Sequence, residues 1–223
     1  MKFILLIATL FCVNKINAQT ELEKVYAKDA CDCIQDLPKD DSAKDSFVLC
    51  FQTALMKNEK LVTEECLRLY GDTTYESGYK LGTELTQKTM SNMIHSCDVY
   101  YHLMDSLRYS DYAVLNRDSV QQELNKINAL AIDERQADFL KQRGLLQFQL
   151  KNYEESMKDV TEMLKTDPDN VTSLFLKGWI HEINGEYDKS IECYERMSEL
   201  TGATTFDIFI ELVKRKKRES PAA

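Results

Sequence analysis

The most reactive side chains of this sequence are its cysteines, which cluster in the first half of the chain. Beyond Cys12, five cysteines precede residue 100 and Cys193 stands apart; the five are Cys31, Cys33, Cys50, Cys66 and Cys97. Cysteines can form disulfides, bind metals or act as thiolate nucleophiles. Cys31 and Cys33 are separated by one residue instead of the two that are typical of a thioredoxin-like redox pair. We therefore expect structural disulfides among the five, and a redox role is the alternative.

Other side chains that could bind a metal or catalyse a reaction form no recognised pattern. His95 and Cys97 are two positions apart on a predicted helix, which places them on different faces and argues against a metal site. The acidic loop around Pro38 lacks the Asp-x-Asp-x-Asp-Gly order of a calcium-binding loop. The sequence also has no serine-nucleophile, zinc-peptidase or phosphate-loop motif. We expect no metal, no cofactor and no enzymatic activity.

The N-terminal residues have the layout of a secretory signal peptide. One lysine is followed by an apolar run, and a polar stretch then ends at the small residue Ala18. The apolar run is too short to span a bilayer comfortably, since a span needs about 20 residues. We predict that residues 1–18 are a signal peptide. The mature protein is then periplasmic or secreted, has no membrane span, and can keep disulfides outside the cytoplasm.

The composition favours long helices and a partner other than nucleic acid. The 223-residue chain has only 7 glycines and 3 prolines, whereas good helix formers are abundant. The formal net charge of −9 argues against nucleic acid, because phosphate binding requires a basic surface. The basic run KRKKR at residues 214–218 is interpreted as a solvated helix end that complements the helix dipole.

Helical periodicity in the first half predicts a small cysteine-containing helical domain over residues 19–110. Apolar residues at helical spacing mark three helices, the third of which ends at Gly71. A longer helix is predicted from Tyr75 onward. Gly78 and Gly82 weaken this helix, unless the two glycines allow a close helix crossing.

A fixed internal repeat organises the second half of the chain. Gly144 and Gly178 are 34 residues apart, and the same shift carries Tyr153 onto Tyr187. Further pairs at this offset are Leu140 and Leu174, Ser156 and Ser190, Val160 and Tyr194, and Met163 and Met197. Similarity that keeps one register across a turn indicates a structural unit used twice. A small residue is needed where the two helices of each unit approach closely, and Pro168 ends the first unit because its ring cannot continue a helix.

These residues resemble the tetratricopeptide repeat family, whose unit is a hairpin of two antiparallel helices. The resemblance implies an all-α fold of helical hairpin repeats in a right-handed superhelix, preceded by the small helical domain. It places the repeats at residues 137–170 and 171–204, in a domain spanning 118–223. Residues 204–218 are expected to cap the array. The helix at 118–131 is expected to stack on the first repeat as a degenerate unit.

In this family the first helix of each unit lines the concave face, and the matching positions are the predicted partner-binding residues. They are Lys141, Leu145, Phe148, Phe175, Trp179 and Glu182, together with Gln149 and Ile183. Leu145 stands where the family's clamp for a C-terminal carboxylate needs Asn, so the resemblance does not extend to that clamp. The apolar, aromatic face suits an amphipathic helix or an extended peptide. The alternative is that Trp179 packs beneath the N-terminal domain or the capping helix.

The sequence thus favours an exported, non-enzymatic interaction module or scaffold that binds a partner polypeptide through its repeats. The alternative is a redox or other enzyme that uses the N-terminal cysteines, with the repeats as a docking arm. Self-association as a structural component is a third alternative.

Overall fold

The structure is an all-α chain, as the sequence predicts. The computed structural model describes residues 20–38, 42–110, 116–129 and 137–220. Every regular element within these ranges is an α-helix, and no strand occurs in them. The predicted signal peptide lies outside the described residues.

Contacts divide the chain into two compact units, residues 1–93 (unit 1) and residues 94–223 (unit 2). The domain boundary that the sequence predicts between residues 110 and 118 is a different division of the chain, and it stays a prediction. The boundary in the structure falls inside a helix, and periodicity within a continuous helix gives no sign of such a division.

Four helices are described in unit 1. They are α1 (Glu21–Gln35), α2 (Ser42–Lys57), α3 (Glu59–Tyr70) and most of α4 (Tyr75–Ser96). α1 begins at Thr20, whose side-chain oxygen accepts a hydrogen bond from the Glu23 amide. α3 ends as predicted at Gly71, which adopts the left-handed conformation with φ 79°.

The core of unit 1 is built on one stripe of α1. Leu22, Tyr26 and Ala30 are buried at four-residue spacing, which is the period of a helix face. α1 packs against α2. The Tyr26 hydroxyl also hydrogen-bonds the Thr86 hydroxyl of α4 over 2.7 Å, so α1 contacts both neighbours.

Four of the five candidate cysteines lie in disulfides. A bond between Cys33 and Cys50 joins α1 to α2, and Cys31 and Cys97 are also disulfide-bonded. The structure leaves the fifth candidate, Cys66, as a free buried thiol. An odd number of cysteines cannot all pair with one another, and Cys66 instead packs in the core as a small apolar residue.

Seven described helices of unit 2 follow α4. They are α5 (Asp98–Ser110), α6 (Arg117–Asn128), α7 (Ala137–Gln149), α8 (Tyr153–Thr166), α9 (Val171–Ile183), α10 (Tyr187–Thr201) and α11 (Thr205–Glu219). The helix predicted from Tyr75 onward is thus interrupted at Cys97. Asp98 lies in the first turn of α5, where an acidic side chain favours a new helix N-terminus.

The two predicted repeats form the hairpins α7–α8 and α9–α10. The helices of each hairpin pack together, α8 contacts α9, and α11 covers α10. Both turns repeat in detail, since Lys151 and Gly185, which are 34 residues apart, both have positive φ, of 65° and 74°. α6 packs against α7, where the sequence predicts a degenerate earlier unit.

The two aligned glycines mark where the hairpin helices approach closely. A Cβ atom added to Gly178 would lie 2.9 Å from Cε1 of Tyr194 and 3.0 Å from Cβ of Cys193. At Gly144 the nearest atoms would be Cβ of Asp159 and Cγ1 of Val160, both at 3.4 Å. The second hairpin is therefore the tighter of the two.

This difference predicts unequal effects of alanine at the two glycines. We expect Gly178→Ala to lower the free energy of unfolding of unit 2 by about 1–2 kcal/mol, because overpacking outweighs the gain in helix propensity. Gly144→Ala is the matched control, and we expect it to leave that free energy unchanged or to raise it by up to about 1 kcal/mol, because its Cβ atom fits at 3.4 Å and alanine favours the helix. Urea unfolding followed by the fluorescence of Trp179, the only tryptophan, measures both. Equal losses in the two variants would contradict the packing difference.

Candidate functional site

Four of the predicted binding residues meet at one face of α9, the first helix of the second hairpin. This face carries Phe175, Trp179 and Glu182 and is called the inner face below. Phe175, Trp179 and Glu182 follow one stripe of α9 at spacings of four and three residues. The Phe148 ring of α7 lies 5.1 Å from the Trp179 ring, measured between centroids. Phe175 packs edge-on against Trp179 at a centroid distance of 5.2 Å. The structure thus brings together four of the six predicted residues.

These four residues are buried, whereas the other two are more exposed. Trp179 is only 1% exposed, and Phe148, Phe175 and Glu182 are buried with it. Lys141 is exposed and Leu145 is partly buried. All six remain predictions as partner-binding residues. Four of them have a core role in the structure, because other helices of unit 2 cover this part of the inner face.

The side chain that covers Trp179 and Glu182 comes from α5, and the sequence does not predict it. Arg108 donates two hydrogen bonds to the Glu182 carboxylate, from Nη1 to Oε2 over 2.8 Å and from Nη2 to Oε1 over 2.7 Å. Its guanidinium carbon lies 5.5 Å from the ring centroids of both Trp179 and Phe209. A charged group over aromatic faces is attracted by their quadrupoles. Arg108 therefore covers the C-terminal half of the α9 stripe.

The basic run at residues 214–218 is not a solvated helix end throughout, because two of its side chains point inward. Lys216 Nζ donates to Glu182 Oε1 over 2.9 Å and to Asp105 Oδ1 over 2.7 Å. Arg215 is 7% exposed and donates to Asp98 Oδ1 over 2.5 Å. Asp105 and Glu182 draw Lys216 inward. Arg215 is held inward by the Ile94 carbonyl, to which its Nη1 donates over 2.8 Å, and by the Tyr101 ring beneath its guanidinium, because Asp98 itself is exposed.

The electrostatics of this cluster favour fixed charges. Burial by itself would lower the pKa of Arg108, but the Glu182 carboxylate outweighs burial and holds that pKa above its usual value. The pKa of Lys216 is raised for the same reason, because Glu182 and Asp105 oppose the effect of burial. Arg108 and Lys216 both stay protonated across the physiological pH range. Neither can exchange a proton as a general acid or base at neutral pH.

An open pocket remains beside this cluster, at the N-terminal end of α9. It has a volume of about 290 Å³ and is called the aromatic pocket below. The lining residues are Arg108, Val171, Thr172, Phe175, Met197, Phe206 and Phe209. Phe206 and Phe209 of α11 are only partly buried, and their rings meet edge-on at 6.0 Å. The pocket therefore lies where the α9 stripe reaches solvent, and aromatic rings and the Arg108 guanidinium line it.

The remaining candidates for chemistry have structural partners. His95 pairs with Glu211 and His181 with Glu186, each over 2.6 Å. Within the described ranges, no group of three His, Cys, Asp or Glu side chains is placed to hold a metal ion. Cys193 is a free buried thiol whose pKa is raised by burial.

Of the helices that the structure describes, none has the length and apolar character to cross a membrane.

The buried ion pair gives a prediction for stability. We expect Glu182→Leu to lower the free energy of unfolding by about 3–5 kcal/mol, because Arg108 is left charged and buried without its main carboxylate. The double variant Arg108→Met with Glu182→Leu should recover most of that loss, since an apolar pair of similar volume needs no charge compensation. Urea unfolding measured by Trp179 fluorescence tests both variants. A double variant no more stable than Glu182→Leu would contradict the role assigned to the pair.

Comparison with known proteins agrees with the hairpin geometry. Residues 171–202 match the family described as tetratricopeptide repeat. No curated protein matches the chain, and no solved structure matches it. The matched residues span the α9–α10 hairpin, in which Gly178 packs against Cys193 and Tyr194. The chain therefore carries a tetratricopeptide repeat at residues 171–202, within an array of paired helices.

Proposed function

We propose that this protein is a non-enzymatic interaction module that binds a partner polypeptide at the aromatic pocket. A tetratricopeptide repeat suggests a role in protein–protein interaction. The observation that carries the proposal is the pocket itself. It lies on the α9 stripe, which matches the helix face that the repeat family uses for binding, and partly exposed rings line it. The proposal narrows the predicted surface from the whole concave face to its open end.

The shape and chemistry of the pocket suit one large apolar side chain of a partner. Its volume of about 290 Å³ is just below the range of small-molecule pockets, about 300–1,000 Å³, and is enough for a single side chain. Binding energy at protein interfaces concentrates on a few apolar or aromatic anchors that fill desolvated pockets. Phe175, Phe206 and Phe209 provide such walls. A charged anchor would lose its hydration against these rings, so the partner is expected to insert an aliphatic or aromatic residue.

Export to the periplasm or the extracellular space is part of the proposal. Two observations support it, namely the signal-like residues 1–18 and the disulfides at Cys31, Cys33, Cys50 and Cys97. Disulfides persist in oxidising compartments and are rare in the cytoplasm.

The redox alternative has less support. It requires a free thiolate at Cys31 or Cys33, and both cysteines are disulfide-bonded. Among the residues that the structure describes, the free thiols are Cys66 and Cys193. Both are buried, whereas reactive cysteines are usually accessible.

A pocket-filling variant tests the proposed function. Peptides are first selected from a random display library against the purified chain without residues 1–18. Their affinities are then measured for wild type, Thr172→Phe and the control Thr161→Phe. Thr172 lines the pocket, and Thr161 is an exposed residue of α8. We expect Thr172→Phe to weaken binding at least tenfold, about 1.4 kcal/mol, because its ring fills the pocket. The control should bind as wild type does.

Two results would count against the proposal. The first is selection of peptides that share no aliphatic or aromatic anchor residue. The second is unchanged affinity in Thr172→Phe, since a ligand in the pocket cannot coexist with an added ring there. Trp179 gives an internal check, because it contacts the lining residue Phe175 and its fluorescence should change when peptide binds.

A further inference from the structure

Apart from the aromatic pocket of unit 2, a groove lies within unit 1, between α2 and α4. Its volume is about 460 Å³, which falls within the range of ligand sites. Its apolar walls come from Phe47, Val48, Phe51, Leu55, Tyr79 and Met90. The polar residues that line it are neutral glutamines and threonines, and no lining residue is charged. Charged residues make up 29% of the whole sequence, so this uncharged lining distinguishes the groove from the rest of the surface.

The apolar surface extends beyond the groove along both helices. Val48 of α2 is 51% exposed, and Leu49 and Met56 of the same helix are 57% and 79% exposed. On α4, Tyr75 and Tyr79 are exposed and their rings stack at a centroid distance of 6.3 Å. Single exposed apolar residues are common, but a contiguous apolar surface marks a binding site.

Two glycines form part of the groove, and the packing of unit 1 does not require them. A Cβ atom at Gly78 would meet nothing within 4 Å, and one at Gly82 would meet only Cδ1 of Leu55 at 3.6 Å. Neither glycine has a positive φ. Glycine is unfavourable in a helix interior compared with alanine. No described helix of unit 1 therefore packs closely against these glycines, and the α4 side of the groove has no side chains at these two positions.

We propose that this groove binds one α-helix of a partner polypeptide through an uncharged apolar face. The groove runs between two helices, and Gly78, Gly82 and Thr86 follow α4 at four-residue spacing, so a bound helix can bring its backbone close to α4. Apolar anchors at positions i, i+3, i+4 and i+7 of that helix fit such a groove. The neutral lining is complementary to an uncharged stripe, because a charged side chain placed there would be desolvated without a counter-ion. This site is separate from the aromatic pocket and does not depend on the proposed function of unit 2.

A designed peptide probe tests the proposal directly. The probe is a fluorescent amphipathic helix of four turns with leucine and alanine on one face, and its control is a scrambled peptide of the same composition. Fluorescence anisotropy measures binding to the chain without residues 1–18, as wild type, as Gly78→Ala with Gly82→Ala, and as Lys80→Ala. Lys80 is an exposed residue of the same helix that does not line the groove.

We expect the patterned peptide to bind wild type and Lys80→Ala equally, and to bind the double alanine variant at least tenfold more weakly. The double variant should keep its thermal midpoint or raise it, because alanine at residue 78 meets open space, alanine at residue 82 makes only an ordinary contact with Leu55, and both favour the helix. Absence of binding, equal binding of the scrambled peptide, or unchanged affinity in the double variant would overturn the proposal. Light scattering completes the test, since a wild-type dimer that the two alanines convert to a monomer would assign the groove to a second copy of this chain instead.

Discussion

Unit 2 depends on the compensation of one buried carboxylate, Glu182. An isolated charge in a protein interior is strongly unfavourable, so Glu182 must meet cations wherever α9 is covered. Arg108 of α5 and Lys216 of α11 supply them, at 2.7 and 2.9 Å from Oε1. The two cations come from opposite ends of unit 2 in sequence. A structure that buries Glu182 therefore has to bring three helices, α5, α9 and α11, to one point.

This requirement explains why the α9 stripe is covered towards its C-terminal end and open at its N-terminal end. Arg108 reaches Glu182 across the faces of Trp179 and Phe209, so these rings become walls for a guanidinium. Two turns nearer the start of α9, the helix carries no second carboxylate, and Phe175, Phe206 and Phe209 surround a pocket instead. The position of one acidic residue on α9 thus separates the structural part of the stripe from the part available to a partner.

The sequence predicts the hairpins well because their determinants are local and repeated. The offset from Gly144 to Gly178 fixes both close approaches, and it also relates Lys151 to Gly185. Lysine alone gives no reason to expect a left-handed backbone at residue 151, but alignment with glycine does. The Arg108–Glu182 pair joins residues 74 positions apart, and such a contact leaves no periodic pattern. For the same reason the sequence does not predict that the side chains of Arg215 and Lys216 point inward, because a basic run does not show which groups lie opposite it.

The length of the repeat array accounts for the remaining helices of unit 2. Helical repeats bury their faces against neighbours, and about three units are usually needed for a stable array. Two hairpins fall short of that number, so other helices must supply the missing surfaces. α6 covers one end at α7, α11 covers the other end at α10, and α5 covers the inner face through its side chains. A longer array could leave its concave face open, because neighbouring repeats would already bury enough apolar surface. In this short array the concave face itself contributes to the core, which is why Trp179 is buried and the open apolar surface is confined to the margin of the repeats.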